Sequence, residues 1–500
     1  MPILNRTSLN PSDKLDLLAK TIACQDKQSI SSLSREFNIS RKSVRRARFA
    51  INTALDDLVS TTTEPDCITT VDVDTTQLRR MIVALSITAP NSIRAIQELI
   101  PLMYPGCKVS YGYIQGVIIE AQEQAVVFNR TVPLTNIKTI ALDEMFSQGS
   151  PVLAGICLDS GFLFSLSHES QRDGETWANV LNEAVVQGMQ PEHVVKDGAK
   201  GIAKGVELTF DLAEQRDDAF HAVYLAGKAV FKLEQRAYRC IGIEAKASDT
   251  LAKTKKDNRK SLAKSLYWAS DKCTKAIARY TSAERAFRKI RRTFCSINFT
   301  TGELLTPEAA ERSLKQAIVL LRDTEQRDCL SVATYLENRV KGLTLATTAL
   351  YKDLVELQKA HPAAAISLAC RFFEIKRKLK KMDQRQRQQA KTEMLASYHL
   401  LYSQLDSVKA DSLMQKIEQM LASRHMASSA IEGFNATLRS YLYVRKGVNQ
   451  GFLELFKAWH NLRKRRWGRH QGTSAYESMT GKTVNDWLSI LGFPGSHKTQ

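Results

Sequence analysis

Apolar positions recur at helical spacing from residue 12 to residue 58, with breaks at Asp26-Lys27-Gln28-Ser29 and at Asn38-Ile39-Ser40, and this pattern predicts three short helices. In the stretch 29–47, Leu33, Phe37, Ile39 and Val44 fall on inward positions, and Ser40 is placed to cap the following helix. That helix then turns Arg41, Lys42, Arg45, Arg46 and Arg48 outward. A helix-turn-helix with a recognition helix for the major groove fits this arrangement, and a solvated basic helix face is the plainer alternative. We take 1–58 as a DNA-binding domain. Residues 59–75, rich in Thr and Asp and without periodicity, read as a linker. A second helical domain follows at 76–130, with Ser92 to Ile100, a turn at Pro105-Gly106, and Ser110 to Gln115. It carries fewer charges, and both a second DNA-contacting module and a structural helical pair remain open.

From residue 137 the period changes to that of strands: Ile137 to Leu142, Pro151 to Leu158 and Gly161 to Leu166, joined by turns at Gln148-Gly149 and Asp159-Ser160-Gly161. A helix from Gly174 to Gln187, a strand from His193 to Lys196 ending at Asp197, and a helix from Ala199 come next. The order βββαβα is the opening of a ribonuclease H-like mixed sheet, so 131–221 is the first part of a catalytic core. Residues 222–425 read as a large all-helical insertion, broken once by a hairpin-like segment at Ile297 to Leu304 with a Thr-Gly turn. The second part of the core and basic C-terminal helices occupy 426–500. The fold class expected is therefore multidomain and mainly α with an α/β core.

Charge sharpens this picture. Across 500 residues, 71 Lys plus Arg stand against 52 Asp plus Glu, leaving a net +19. Such an excess points to a polyanionic partner, for which nucleic acid is the best fit. The nine cysteines are scattered singly, without a C-x-x-C pair to suggest zinc or redox chemistry. There is neither an apolar run of membrane-spanning length nor a secretory leader, so a soluble chain in the cytoplasm is expected.

The candidate chemistry lies in three acids. Asp143 ends the first strand, Asp197 ends the fourth, and Glu432 sits in the first turns of the late helix Ser428 to Arg439. Cutting and rejoining phosphodiesters needs an activated water or 3'-hydroxyl and a stabilised leaving oxygen, and a pair of Mg2+ or Mn2+ ions held by carboxylates supplies both. One strand-end Asp is a weak signal, often a turn or cap residue, but three acids in this topological order are stronger. Glu144 points to the opposite face of its strand. His221 is an auxiliary candidate for phosphate contact or proton transfer, with a core histidine as the alternative; Asn435 is a second auxiliary candidate. Trp177 and Trp459 fit core positions better than base-stacking ones. Between Arg439 and His470, the basic residues Arg445, Lys446, Lys457, Arg463, Lys464, Arg465, Arg466 and Arg469 face a single acid, Glu454. That run reads as a track for DNA phosphates.

The segments Leu142-Asp143-Glu144-Met145-Phe146, Val194-Val195-Lys196-Asp197-Gly198 and Ile431-Glu432-Gly433-Phe434-Asn435 resemble the DDE transposases of bacterial insertion sequences. The resemblance covers the N-terminal helix-turn-helix and the catalytic core. It implies that the protein binds the ends of a mobile element and its target DNA, and works in the bacterial cytoplasm at the nucleoid. It also implies assembly of a homo-oligomer on DNA, and that the helical block is an inserted domain. Arg439 stands seven residues past Glu432, where some of these groups carry Arg or Lys, whereas His425 and Ser428 replace the Tyr and Arg of one signature. A transposase-derived regulator without catalysis, and a nuclease that hydrolyses without joining, are the alternatives.

Overall fold

The computed structural model describes residues 17, 30–37, 39–47, 73–255, 258–379, 382–424, 429–444, 447–468 and 470–495. They belong to two compact units, Met1–Val73 and Asp74–Gln500, each treated by itself. In the first unit, helix α1 (Ile30–Glu36) is followed by a helix over 41–47 (α2). Leu33, Phe37, Ile39 and Val44 are buried in one cluster with Leu17, as their spacing predicts. Ser40 Oγ accepts the Ser43 N–H at 3.1 Å, so a side chain satisfies one of the donors left free at the start of α2. Arg41, Lys42, Arg45 and Arg46 are exposed. Arg48 and the rest of the third expected helix beyond residue 47, the first expected helix apart from residue 17, and most of the linker lie outside the described residues.

The second unit is mainly helical around one small mixed sheet. Helices α3 (Thr75–Thr88), α4 (Ile93–Met103) and α5 (Tyr111–Thr131) lead into β1 (Thr139–Ser147), β2 (Ser150–Cys157) and β3 (Leu163–His168). Then come α6 (Gly174–Val186), β4 (His193–Lys196), α7 (Lys200–Thr209) and β5 (Glu214–Asp217). The strand order is β3-β2-β1-β4-β5: a β1-β2-β3 antiparallel meander, with β4 and β5 added parallel to β1. The turn between β1 and β2 places Gln148 and Gly149 at φ of 51° and 91°, a left-handed pair whose twist suits a tight hairpin.

Strand alternation decides what covers each face. Ile140, Leu142, Leu153 and Val194 pack with Trp177, Leu181, Ile202 and Val206 of α6 and α7. Ala141, Met145, Ala154 and Val195 face the other way, into a core shared with α16 (Ser429–Val444) and α17 (Gln450–Leu462). Ile82, Ile87, Ile96, Ile100, Ile114 and Val117 join that same core, so the helices of 76–130 pack on the C-terminal helices. The Tyr441 hydroxyl donates to the Ile87 carbonyl at 2.7 Å. Trp177 and Trp459 are both core residues.

Between β5 and α16 run the helices α8 (Ala219–Lys253), α9 (Arg259–Thr293), α10 (Pro307–Arg322), α11 (Arg327–Glu337), α12 (Val340–Leu357), α13 (Ala363–Lys378), α14 (Gln384–Gln404) and α15 (Ser407–Ala422). Only an isolated antiparallel bridge, Ile297 to Leu304, departs from helix there among the described residues, with Gly302 at φ 78° in its turn. Two apolar clusters hold this block, one around Ala226, Ile290, Leu314 and Leu336 and one around Leu354, Ile366, Leu413 and Ile417. Helix α12 touches β5, which joins the block to the sheet. After α17, two short helices, α18 (Ala475–Thr480) and α19 (Trp487–Ile490), close the unit. Among the described residues no helix is long and apolar enough to cross a membrane.

The β3 edge is covered by amide side chains of α17. Asn461, fully buried, accepts from the Leu163 N–H at 2.8 Å and donates to the Leu163 carbonyl at 2.9 Å, imitating a neighbouring strand. Gln450 does the same for the His168 N–H and the Leu166 carbonyl. Asn461→Leu leaves two buried backbone groups unpaired and should cost on the order of 2–4 kcal/mol. Urea unfolding checks this, and an unchanged midpoint would contradict the edge-capping role.

Candidate active site

Alternation along β1 separates two neighbouring acids. Asp143 shares the face of Ala141 and Met145, towards α16, while Glu144 shares the face of Ile140 and Leu142. Glu144 accepts from Trp177 Nε1 at 3.1 Å and from Arg172 Nη1 at 2.6 Å, so its carboxylate is bound on the far side. The parallel register ends at Leu142 and Lys196, so the next residues, Asp143 and Asp197, follow the last paired position. Asp143 does not end its strand as expected but lies in the middle of β1, which runs on to Ser147 because β2 continues to pair with it. Strand β4 stops at Lys196. Asp197 Oδ1 accepts the Ala199 N–H at 2.8 Å, a local turn that competes with continued pairing and leads into α7.

Helix α16 packs on β1 and β2 and brings the remaining groups. Glu432 lies in its first turn, where the helix dipole favours a carboxylate. Asn435 is one turn on, on the same face, fully buried, and its Nδ2 donates to Asp143 Oδ2 at 2.5 Å. Burial pushes the Asp143 carboxyl up to about 6, and the negative charges of Asp197 and Glu432 add to it, against the pull of the Glu144 amide and Asn435. Asp143 is thus close enough to feel both of the other acids singled out in the sequence.

Among the described residues, no three His, Cys, Asp or Glu side chains already converge at ligand distance on one point. Electrostatic coupling reaches further than coordination, so the two observations are compatible: a cation would draw the carboxylates together against their repulsion. The donor set fits a hard divalent ion, being all oxygen. Asn435 Oδ1, buried and without a hydrogen-bond partner, adds one more oxygen of that type beside Asp143.

The auxiliary candidates divide. Asn435 is in contact with Asp143, whereas the His221 backbone N–H donates to Asp218 Oδ1 and its ring packs 5.6 Å from the Tyr335 ring. Arg439 is exposed on α16. Arg445 and Lys446 lie outside the described residues, as does Arg469. The basic run is a mixed population. Lys457 is buried against Glu454 at 3.1 Å, Arg463 stacks 4.0 Å over the Trp459 ring, and Arg465 donates to the Ser160 carbonyl at 2.5 Å. Lys457 is built into the core, while Arg463 and Arg465 are partly buried. Lys464 and Arg466 are exposed and line a cleft of about 1170 Å³ along the flank of α16 at Gly433 and Phe434. Arg377 and Arg424 enter it from the helical block, and no Asp or Glu lines it among the described residues.

Sequence reasoning missed a second polar cluster beside Asp197. Asp217, at the end of β5, has Lys196 Nζ 3.5 Å and Arg339 Nε 3.6 Å from its Oδ1. Burial raises the Asp217 carboxyl in spite of those two cations. Asp218 caps α8 by accepting the Phe220 N–H at 2.6 Å. The Asp217-Asp218 pair at a strand end was a visible signal; Arg339 gave none.

No family model matches this sequence, and no curated protein is detectably similar to it.

A carboxyl held above its ordinary value of 3.8 binds its proton more tightly folded than unfolded, so once ionised it opposes folding. That penalty is absent below about pH 4, grows as pH rises, and is complete above about 6. In divalent-free buffer Asp143→Asn should therefore be about 1–2 kcal/mol more stable than wild type at pH 7.5, after allowing for the solvent that still reaches this partly buried position. The gain should vanish at pH 4. Denaturation curves at both pH values check this; an equal gain at both would contradict the shift.

Proposed function

We propose that this protein is a DNA transposase of the DDE class, which binds the ends of a mobile element and cuts and joins DNA strands. The observation that carries the reading is the placement of Asp143 in the middle of β1, where pairing with β4 stops, beside Asp197 just past the end of β4, with Glu432 and Asn435 on one face of the helix packed over them. The strand order 3-2-1-4-5 and the helical block between β5 and α16 support a ribonuclease H-like core with an insertion. The exposed Arg41, Lys42, Arg45 and Arg46 on a helix following a capped turn support a helix-turn-helix that reads element ends. The net +19 and the acid-free cleft beside α16 support a polyanionic partner. Assembly as a homo-oligomer on DNA, in the bacterial cytoplasm, completes the proposal.

In this reading Asp143, Asp197 and Glu432 hold the metal. When bound, two Mg2+ or Mn2+ ions supply Lewis acidity for the attacking and leaving oxygens. Asn435 donates to Asp143 Oδ2 and the Glu144 N–H to Oδ1, so both carboxylate oxygens are oriented, each with lone-pair capacity left to ligate. Burial holds the Asp143 carboxyl at about 6, and only its ionised form would serve as a ligand, so metal affinity should rise with pH across that value. Arg439, Lys464 and Arg466 are placed to meet phosphates along α16 and its cleft.

Asp143→Ala, Asp197→Ala and Glu432→Ala should each lower strand cleavage and transfer by on the order of 10³-fold or more with Mg2+ or Mn2+, with DNA binding retained. Gel assays on end-containing DNA test this. Wild-type turnover in any one of them removes that residue from the site, and cleavage without joining would favour a nuclease. Arg45→Ala combined with Arg46→Ala should weaken end binding and reduce the salt slope by about 2. Affinity measured from 50 to 200 mM salt checks it, and an unchanged slope would reject phosphate contact by α2.

A further inference from the structure

The turn between β4 and α7 is held from outside its own segment. The Gly198 carbonyl accepts from Arg339 Nη2 at 3.1 Å, and the N–H of the same peptide unit, that of Ala199, donates to Asp197 Oδ1 at 2.8 Å. A peptide is planar, so fixing its oxygen fixes the direction of its N–H. Arg339 comes from the helical block, at the junction of α11 and α12. Its guanidinium lies 4.4 Å over the Tyr335 ring, and Nη1 donates to the Tyr335 carbonyl at 3.3 Å. Its Nε stands 3.6 Å from Asp217, which Lys196 also approaches. The packing is close throughout. A Cβ on Gly198 would come within 2.7 Å of Arg339 Nη2, and one on Gly342 would come within 2.0 Å of Asp217 Oδ2.

From this geometry we infer that Arg339 is a positioning residue: by clamping the Gly198–Ala199 peptide it orients the Asp197 carboxylate, so the helical block sets one wall of the metal site. A planar guanidinium can stack on Tyr335, face Asp217 and donate to a carbonyl at once, whereas an ammonium cannot. The inference rests on the reading of Asp197 as a metal ligand. Its structural half, the clamp on the turn, does not.

The test uses the full chain with Arg339→Met and Arg339→Lys. In divalent-free buffer, hydrogen exchange read by mass spectrometry over 196–201 should speed up by at least about tenfold in Arg339→Met, with β1 protection unchanged. Mn2+ affinity, read from the electron paramagnetic resonance signal of free Mn2+, should fall by about 10–100-fold, the range for losing a group that orients a ligand. Arg339→Lys keeps the charge beside Asp217 and should show the same local loss; it decides the matter if Arg339→Met does not fold. Unchanged exchange at the turn in a folded variant overturns the clamp. Faster exchange with unchanged Mn2+ affinity overturns its role in the site. If wild type itself binds no Mn2+, the metal reading fails, and the exchange result still decides the clamp.

Discussion

A carboxylate placed where water is scarce and two other acids are near is the constraint on which the rest of the second unit turns. Burial and like charges both oppose ionisation of Asp143, and the fold answers with two donors, the Glu144 amide and Asn435. Neither donor carries a full charge. The neighbouring acid Glu144 has the opposite treatment, with an arginine and an indole N–H, and its charge is settled locally. The two neighbouring acids thus differ in kind: one is matched by a full positive charge and the other only by neutral donors.

Satisfying that constraint requires distant parts of the chain to meet. Asn435 is 292 positions from the aspartate it touches, and everything between them must fold without disturbing the sheet edge. The helical block manages this with apolar clusters of its own, around Ile290 and around Ile366, rather than by borrowing the sheet's core. The sheet's second face is closed by α16 and α17 together with α3, α4 and α5, so the N-terminal helices of this unit hold the helix that carries Glu432. The Tyr441 bond to the Ile87 carbonyl ties the two directly. Substitutions in α3 can thus reach the site through α16, although they touch none of its acids.

What the sequence made legible was local. Period-two alternation placed Asp143 and Glu144 on opposite faces, and the strand ending at Asp197 was marked by the apolar pair Val194-Val195 before it. Leu33, Phe37, Ile39 and Val44 formed a core because their spacing left no other common face. Charge counting overlooks long side chains that fold back: Lys457 is buried against Glu454, and Arg463 and Arg465, though they line the cleft, lay part of their length on the Trp459 ring and the Ser160 carbonyl. An aliphatic stem makes such burial cheap, and composition alone cannot reveal it. Arg339 was invisible for a different reason. Its partners, Gly198 and Asp217, lie on other elements, 141 positions away in the case of the Gly198 carbonyl, and no local pattern encodes that meeting.

The two aspartates where the pairing of β1 with β4 stops are therefore oriented by different parts of the chain. Asp143 takes its orientation from Asn435 on α16, and the Asp197 turn is held by Arg339 at the head of α12. Both supports lie after β5 in the sequence, yet they belong to different apolar clusters: Asn435 sits among the residues that cover the sheet, while Tyr335 and Val340, the neighbours of Arg339, pack in the cluster of the helical block. Geometry at the site consequently depends on how the block seats against β5 and not on the sheet alone. A shift of α12 relative to β5 would move the Gly198 peptide before it moved any strand, because Gly342 leaves no slack between α12 and Asp217. A helical block seated at this point of the topology is in a position to govern the spacing of the two carboxylates, because its contact with β5 and its hold on the Gly198 peptide act on the same turn.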